Sequence, residues 1–503
     1  MIKLFHDLLI KTGINFHSNL RNPKISGITF DSRNVQKGDL FIGIPGETFD
    51  GGNYWSQAIS KGAVATIIGK STSNLISLKS SDVVLEIDNI EEYAGLLAAN
   101  FWDNPSSKIP LIGVTGTNGK TTTTYLIDYI CKALGTPSAL FGTLGNSWPG
   151  NNQKVCHTTN FADKLQAQLA CAVKEGARLS VMEVSSHALA QKRVSGCEFS
   201  GAIFTNLTQD HLDYHSSMDE YFETKSLLFK KPFFDIETNK AIINIDDSWG
   251  LKLSERLKGK CWRSSLVNGT IDSSEAELQI KVLELSQTGT KGYLKTPLSE
   301  GYFISPLVGR FNLMNLLQAI GVLTQQGYSL DPILKVIKDF PGVPGRMERV
   351  LPSDKNISKI PMVLVDYAHT PDGLKNALVA AKSFSKGQII CVFGCGGDRD
   401  RGKRSKMGSI AAKYSDRVII TSDNPRSEDP VQITQDILLG ISSTRNVLLE
   451  PNRSLAINFA IAQSEPEDLI LIAGKGHEDY QIIGSQKMYF NDREEVRKIF
   501  NRM

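Results

Sequence analysis

Several polar stretches of this sequence hold residue types suited to charged ligands. TGTNGKTT, residues 115–122, is one. A glycine-rich turn between a strand and a helix aims backbone N–H groups and the helix N-terminus at one point, which suits phosphate. Lys120 would then reach the outer phosphates of a nucleotide, and the Thr121 hydroxyl would ligate Mg²⁺. The spacing departs from G-x-x-x-x-G-K-T: Val114 stands at the first glycine position and the glycines fall at 113, 116 and 119. A plain Gly-Thr turn is the alternative.

Further along, MEVSSH places Glu183 at the end of an apolar run, where a carboxylate can hold metal directly or through water; a helix-capping cluster is the bland reading. In DHLDYH, Asp210, His211, Asp213 and His215 crowd together, which suits zinc or a second Mg²⁺. Lys225 in YFETKSLLF reads as a solvated helix lysine, and Ser32 in DSR as part of a turn. TSDNPRSEDP, residues 421–430, sets Arg426 among Asp423, Glu428 and Asp429. Either it pairs with those acids or its planar fork is kept for a carboxylate elsewhere, to which it can donate two charge-assisted hydrogen bonds.

The elements that must position these residues are readable from the apolar pattern. MVLVDYA, QIICVFG, RVIITSD, NVLLE and DLILIAG alternate with helical patterns, which predicts a mostly parallel, doubly wound sheet. DYAHTPD, GCGGDRDRGKR, DNPRSEDP and GKGHED all fall at the carboxyl ends of its strands, where such sheets bind ligands. KIPLIGV, the TGTNGK loop and TTTTYLIDYICKAL give strand, loop and helix in order. ISGITFDSR, GDLFIGIPG and AVATIIG are strand candidates of a small α/β domain, preceded by an amphipathic helix in MIKLFHDLLIKTGI. Pro- and Ser- or Gly-dense breaks at 101–110 and 339–350 divide the chain into 1–106, 107–340 and 341–503.

At 503 residues and 41% hydrophobic content the chain can fill two or three cores. A net charge of +3 with interspersed signs argues for neither nucleic acid nor a disordered acidic adaptor. MIKLFHDLLIKTGI reads as an amphipathic helix rather than as a signal peptide, no apolar run approaches bilayer length, and the seven scattered cysteines fit the expectation of a reduced, cytoplasmic protein. Cys391 and Cys395 read as ordinary buried thiols.

Eleven stretches in order resemble the Mur ligases, ATP-dependent amide-forming enzymes of peptidoglycan precursor synthesis. They are DSR, TGTNGKTT, MEVSSHALAQKRV, FTNLTQDHLDYH, TKSLLF, GRFNLMNLLQA, GVPGRMERV, DYAHTPDGL, GCGGDRDRGKR, DNPRSEDP and AGKGHEDYQ. The resemblance implies three domains: a UDP-binding N-terminal one, a central P-loop ATPase-like one and a Rossmann-like, amino-acid-binding C-terminal one. It implies that a substrate carboxylate attacks the γ-phosphate of ATP and that an amine then displaces phosphate from the acyl phosphate. Within the family the likeness points to addition of meso-diaminopimelate to UDP-N-acetylmuramoyl-L-Ala-D-Glu by a monomer. A lysine-adding or D-alanyl-D-alanine-adding ligase, or a folylpolyglutamate synthase, is the near alternative, and a regulatory P-loop NTPase the distant one.

By this resemblance Gly116, Thr117, Asn118, Gly119, Lys120, Thr121 and Thr122 meet ATP, with Asn312, Arg346 and Asp366. Thr121, Glu183 and His211 match magnesium-associated positions. Lys225 matches a lysine that is carbamylated in the family, which reverses its solvated reading; Lys120, Lys225 and His211 are the implied catalytic residues. Ser32 matches the uridine-diphosphate contact, and Thr158, Thr159, Ser185, Gln191 and Arg193 the contacts to the muramoyl peptide. Arg426 and Glu478 would take the far carboxylate and ammonium of diaminopimelate, Arg399 its other carboxylate, with Asp423, Asn424, Pro425 and Gly474 beside them. Lysine-adding relatives lack the arginine of DNPR.

Overall fold

The five apolar runs of the last segment become strands Met362–Asp366, Ile389–Phe393, Arg417–Ile420, Val447–Leu449 and Leu469–Ala473. The sheet order is 348–350, 362–366, 469–473, 389–393, 417–420, 447–449. Every pairing is parallel except that of Glu348–Val350, which runs antiparallel at one edge.

Alternation along each strand explains the double winding, because successive side chains point to opposite faces. Leu364, Cys391, Phe393 and Leu471 join a core with helices Pro371–Lys382, Gly402–Tyr414 and Pro430–Leu438. Val363, Val365, Ile390, Val392, Ile470 and Ile472 join a second core with helices Arg453–Ala462 and Asp492–Phe500. Both faces are covered, so the strands read as near-continuous apolar runs. The strand latest in sequence, Leu469–Ala473, lies between Met362–Asp366 and Ile389–Phe393, and this reversal opens a crevice at the carboxyl ends.

This computed structural model describes residues 1–46, 49–70, 82–155, 157–268, 271, 276–352, 360–443 and 446–502. The chain forms two compact units. The first comprises 1–115, 131–204 and 223–242, the second 116–130, 205–222 and 243–503, so the middle segment contributes to both.

In the first unit four parallel strands, Gly27–Thr29, Asp39–Gly43, Ala65–Gly69 and Val84–Ile87, pair in chain order. Helices Phe5–Thr12 and Ile90–Phe101 cover one face of them through Phe5, Leu8, Leu9, Ala94 and Leu97. The same unit holds a sheet in the order 151–153, 145–148, 138–142, 179–183, 111–115, 201–204. Its last four strands are parallel to one another.

In the second unit Cys261–Val267 pairs parallel with Leu278–Ser286, which continues into antiparallel strands Gly289–Lys295 and Glu300–Ser305. That extension was not anticipated from the sequence. No described helix is long and apolar enough to cross a membrane.

Candidate active site

The strand Leu111–Thr115 runs into the loop at 116–119 and the helix Lys120–Ala133, as the TGTNGKTT pattern requires. A second loop clamps the first. Thr117 N donates to Asn206 O at 2.9 Å, Asn118 N to Asn206 Oδ1 at 2.9 Å, and Thr205 Oγ1 to Asn118 O at 2.6 Å. Thr208 N donates to Thr117 Oγ1 at 3.0 Å, and Tyr221 OH lies 3.3 Å from the same hydroxyl. These partners were missed in the sequence, although FTNLTQ is rich in the side chains that bond loop backbone.

Gly119 has φ +89°, and a Cβ there would collide with the Asn315 amide. Asn315 lies one helical turn beyond Asn312, whose Nδ2 donates to Val308 O at 3.1 Å. Lys120 Nζ donates to the carbonyls of Gly116 and Thr117, each at 2.8 Å. Thr121 and Thr122 are buried.

Arg346 reaches this loop. Its Nη2 donates to Thr121 Oγ1 at 3.3 Å and its guanidinium lies 4.4 Å from the Tyr367 ring centroid. Its buried Nε has no hydrogen-bond partner among the described residues. A buried, unmet arginine donor beside a glycine loop fits the phosphates of ATP. Asp366 closes the strand Met362–Asp366 and accepts from Met347 N at 2.7 Å. Burial pushes its carboxyl up, against Arg346 and backbone N–H groups.

In the DHLDYH stretch, His211 has φ +55°, and its Nε2 lies 3.4 Å from Asp210 Oδ2. Burial raises the Asp210 carboxyl, but His211, His369 and Lys403 outweigh it and the net shift is downward. His215 is buried and stacks on Tyr221 with ring centroids 4.9 Å apart. Among the described residues no three His, Cys, Asp or Glu side chains converge as a metal cage, so the zinc reading finds no support. Cys391 and Cys395 are buried, and burial pushes both thiols up to about 12.

The first unit gathers the residues expected to meet the muramoyl peptide. Glu183 ends the strand Leu179–Glu183; its Oε1 accepts from Thr143 N at 2.8 Å and its Oε2 from Thr143 Oγ1 at 3.1 Å. Thr158 Oγ1 lies 3.1 Å from that hydroxyl, and Thr159 Oγ1 donates to Glu183 O at 2.7 Å. Ser185 caps the helix Ser186–Ala190 by accepting from Ala188 N at 3.1 Å. Capping therefore belongs to Ser185, and the Glu183 carboxylate presents oxygen donors of the kind Mg²⁺ takes.

Arg193 Nη1 donates to Thr159 O at 3.1 Å and its Nε to Gln191 Oε1 at 2.9 Å. The guanidinium lies 4.2 Å from the centroid of Phe161, an aromatic residue not singled out from the sequence. Ser32 is buried and donates to Gln57 Oε1 at 3.0 Å. Lys225 is 1% exposed, which corrects its first reading as a solvated helix lysine: the end of helix Met218–Ser226 carries it inward.

The crevice of the C-terminal sheet answers the question posed by Arg426. Asp423 Oδ1 accepts from Asn424 N at 2.7 Å, and Asp429 caps the helix Pro430–Leu438 by accepting from Val431 N at 2.9 Å. Glu428 is bonded by Arg404. Arg426 makes no ion pair among the described residues; its Nη1 donates to Gly397 O at 2.7 Å.

Backbone bonds fix this arginine at φ +53°, with its N–H donating to Ile482 O at 3.1 Å and its carbonyl accepting from Gly484 N at 2.8 Å. Those partners belong to the hairpin Tyr480–Ile483 and Gln486–Tyr489. Pro425 packs its carbonyl onto Gly397, leaving no room for a Cβ.

Asn424 knits the crevice together, its Nδ2 donating to Glu478 Oε2 at 2.9 Å and its Oδ1 accepting from Lys475 Nζ at 3.2 Å and Ile482 N at 3.0 Å. Lys475, fully buried, lies 3.0 Å from Glu478 Oε2, and Tyr480 OH donates to Glu478 Oε1 at 3.4 Å. Lys475 was not singled out from GKGHED in the sequence. Gly474, at φ +112°, has no room for a Cβ beside Asp423 Oδ2. Arg399 is exposed and donates to Asp398 O at 3.0 Å.

The sequence profiles agree with this architecture. That of the Mur ligase family catalytic domain matches residues 24–102, that of the Mur ligase middle domain 114–323, and that of the glutamate ligase domain 345–476. The chain belongs to the Mur ligase family and has its three-domain α/β fold.

Within that family its likeness is to one kind of enzyme. A UDP-N-acetylmuramoyl-L-alanyl-D-glutamate–2,6-diaminopimelate ligase of Prochlorococcus marinus is 54% identical over 499 residues, covering 99% of this chain and 98% of that one. The ligase of the same name from Synechococcus elongatus is 51% identical over 476 residues, covering 94% and 93%. A solved structure of a ligase of that name is 32% identical with a TM-score of 0.69, covering 100% of this chain and 99% of the other.

Proposed function

We propose that this protein is an ATP-dependent ligase that joins meso-2,6-diaminopimelate to UDP-N-acetylmuramoyl-L-alanyl-D-glutamate in cytoplasmic peptidoglycan precursor synthesis. The glutamate carboxylate attacks the γ-phosphorus of ATP and ADP departs. The diaminopimelate amine then attacks the acyl carbon, phosphate leaves with the C–O bond electrons, and the amine gives up a proton. Segments 1–106, 107–340 and 341–503 take UDP, ATP and the amino acid respectively.

Lys120 and the N–H groups of residues 116–122 orient the phosphates, with Asn312, Arg346 and Asp366 on the nucleotide. Mg²⁺, when bound, would offset charge on the transferring phosphoryl group; Thr121 and His211 of the second unit, and Glu183 and a carbamylated Lys225 of the first, match metal-associated positions of the family. Ser32 takes the uridine diphosphate, and Thr158, Thr159, Ser185, Gln191 and Arg193 the muramoyl peptide. Arg399 meets one carboxylate of diaminopimelate.

The observation that carries the amino-acid assignment is Arg426. Its acidic sequence neighbours are engaged elsewhere, so its charge remains for the far carboxylate of diaminopimelate. Glu478 lies across the same crevice for the terminal ammonium, bridged by Asn424. Asp423, Pro425 and Gly474 shape the wall. Lysine lacks that carboxylate and would bring its ammonium against Arg426.

Purified protein supplied with ATP, Mg²⁺ and the nucleotide dipeptide is expected to add diaminopimelate far better than L-lysine. Arg426→Ala should lose roughly 30-fold or more of that preference, as loss of one member of a desolvated charge pair does. Equal incorporation by the unmodified enzyme would overturn the assignment.

A further inference from the structure

Glu428, two residues on from Arg426, is held by a different arginine. The side chains of Arg426 and Glu428 lie against the same residue. Gly397 O accepts from Arg426 Nη1 at 2.7 Å, and a Cβ built on Gly397 would stand 3.2 Å from Glu428 Cβ. A carboxylate released by Arg404 would lie beside the exposed Arg401 and against the same glycine as the Arg426 guanidinium.

What holds it is a fork. Arg404 Nη2 donates to Glu428 Oε1 at 2.9 Å and its Nη1 to Oε2 at 3.1 Å. Arg404 also donates to Asp436 Oδ2 at 2.9 Å, and its side chain is 0% exposed. Glu428 Oε1 further accepts from Asp398 N at 2.6 Å, tying the DNPRSE loop to the GGDRD loop. Hydrogen bonding from Arg404, ahead of all other causes, holds the Glu428 carboxyl at about 2. Arg401 also reaches Glu428, at 3.0 Å, but its side chain is 70% exposed, and a screened surface pair is a weak anchor.

We infer that Arg404 is a positioning residue for amino-acid selection: by occupying both oxygens of Glu428 it prevents that carboxylate from neutralising Arg426. Arg404 touches no substrate in this scheme. Its effect passes through Glu428 to the charge that Arg426 presents. The inference rests on the reading that Arg426 meets the far carboxylate of diaminopimelate.

The test compares kcat/KM for meso-diaminopimelate and for L-lysine in the unmodified enzyme, Arg404→Met, Glu428→Gln, the double variant and Arg426→Ala. Arg404→Met is expected to reduce the preference for diaminopimelate by about tenfold or more, as coupled neighbours do. The double variant should regain most of it, because a neutral residue at 428 cannot compete for Arg426, and Glu428→Gln alone should keep it. An Arg404→Met enzyme that keeps its preference would overturn the inference. So would parallel loss with both amino acids that the double variant does not restore, since a merely structural arginine behaves that way.

If Arg404→Met does not yield soluble protein, Arg404→Lys with and without Glu428→Gln carries the same comparison, lysine keeping a cation without the fork. An unchanged preference in Arg426→Ala refutes the reading of the crevice itself. Loss there beside an unaltered Arg404→Met preference refutes only the role of Arg404.

Discussion

Arg346 and Thr121 are 225 positions apart in sequence, yet the guanidinium of one donates to the hydroxyl of the other at 3.3 Å. The GVPGR turn thereby reaches the first residues of the helix Lys120–Ala133, and the arginine keeps a buried Nε with no partner among the described residues. Arg346→Ala is expected to raise KM for ATP by about 10- to 100-fold, the range for loss of a charge-assisted contact, with a smaller rise for Arg346→Lys. Initial rates against ATP concentration decide it; an unchanged KM would remove Arg346 from the nucleotide.

Lys225 is buried at 1% exposure near the end of its helix. A carbamate there would be a carboxylate made from a cation, so Lys225→Ala should lose about 100-fold or more in kcat and recover part of it with added formate or acetate. Failure of every short carboxylate to restore activity would count against carbamylation.

Burial, reinforced by Arg346, Arg493, His369 and Lys475, pushes the His477 imidazole down to about 3. The unfolded chain, with an ordinary histidine near 6.5, binds a proton that the folded chain refuses. Stability should therefore fall as pH drops below about 6.5 and continue falling toward 3, by up to about 1.4 kcal/mol per pH unit for this one group. Denaturant midpoints measured between pH 7 and 4.5 should show a shallower slope in His477→Gln, and an identical slope would dismiss this source.

Arg453 and Asp492 are both 0% exposed, and they bond at 2.7 Å through Nε. Arg453 also donates to Ala473 O at 3.0 Å, just before Gly474. Asp492→Asn leaves a buried cation uncompensated and should destabilise the protein by about 3–5 kcal/mol. Urea unfolding reads this directly, and a loss below about 1 kcal/mol would show that the site relaxes around the change.

The C-terminal sheet was legible because each strand is a continuous apolar run punctuated by Gly and Asp, and both its faces are buried. The strand, loop and helix around TGTNGKTT were legible because glycine spacing is a local backbone property. Lys225, Arg404 and Lys475 were misread or passed over, since charged side chains are mostly exposed and only tertiary packing reveals the partners that let them sink. The antiparallel extension from Leu278 to Ser305 was missed because its partners lie on separate strands, and its outer positions are polar enough to resemble loop. Which acids Arg426 avoids is likewise a matter of who else binds them, and Arg404 lies 22 positions away in sequence.

The left-handed backbone at Arg426 carries an implication for anyone engineering this enzyme. A residue with a side chain held at φ +53° gives up about 1–2 kcal/mol that glycine would not. A search for thermostability would therefore favour Gly or Asn at 426, and under the role proposed for Arg426 the same change would erase the choice of amino acid. On that proposal heat tolerance and substrate choice are opposed at a single backbone torsion, so position 426 should be held fixed while the rest of the loop is redesigned.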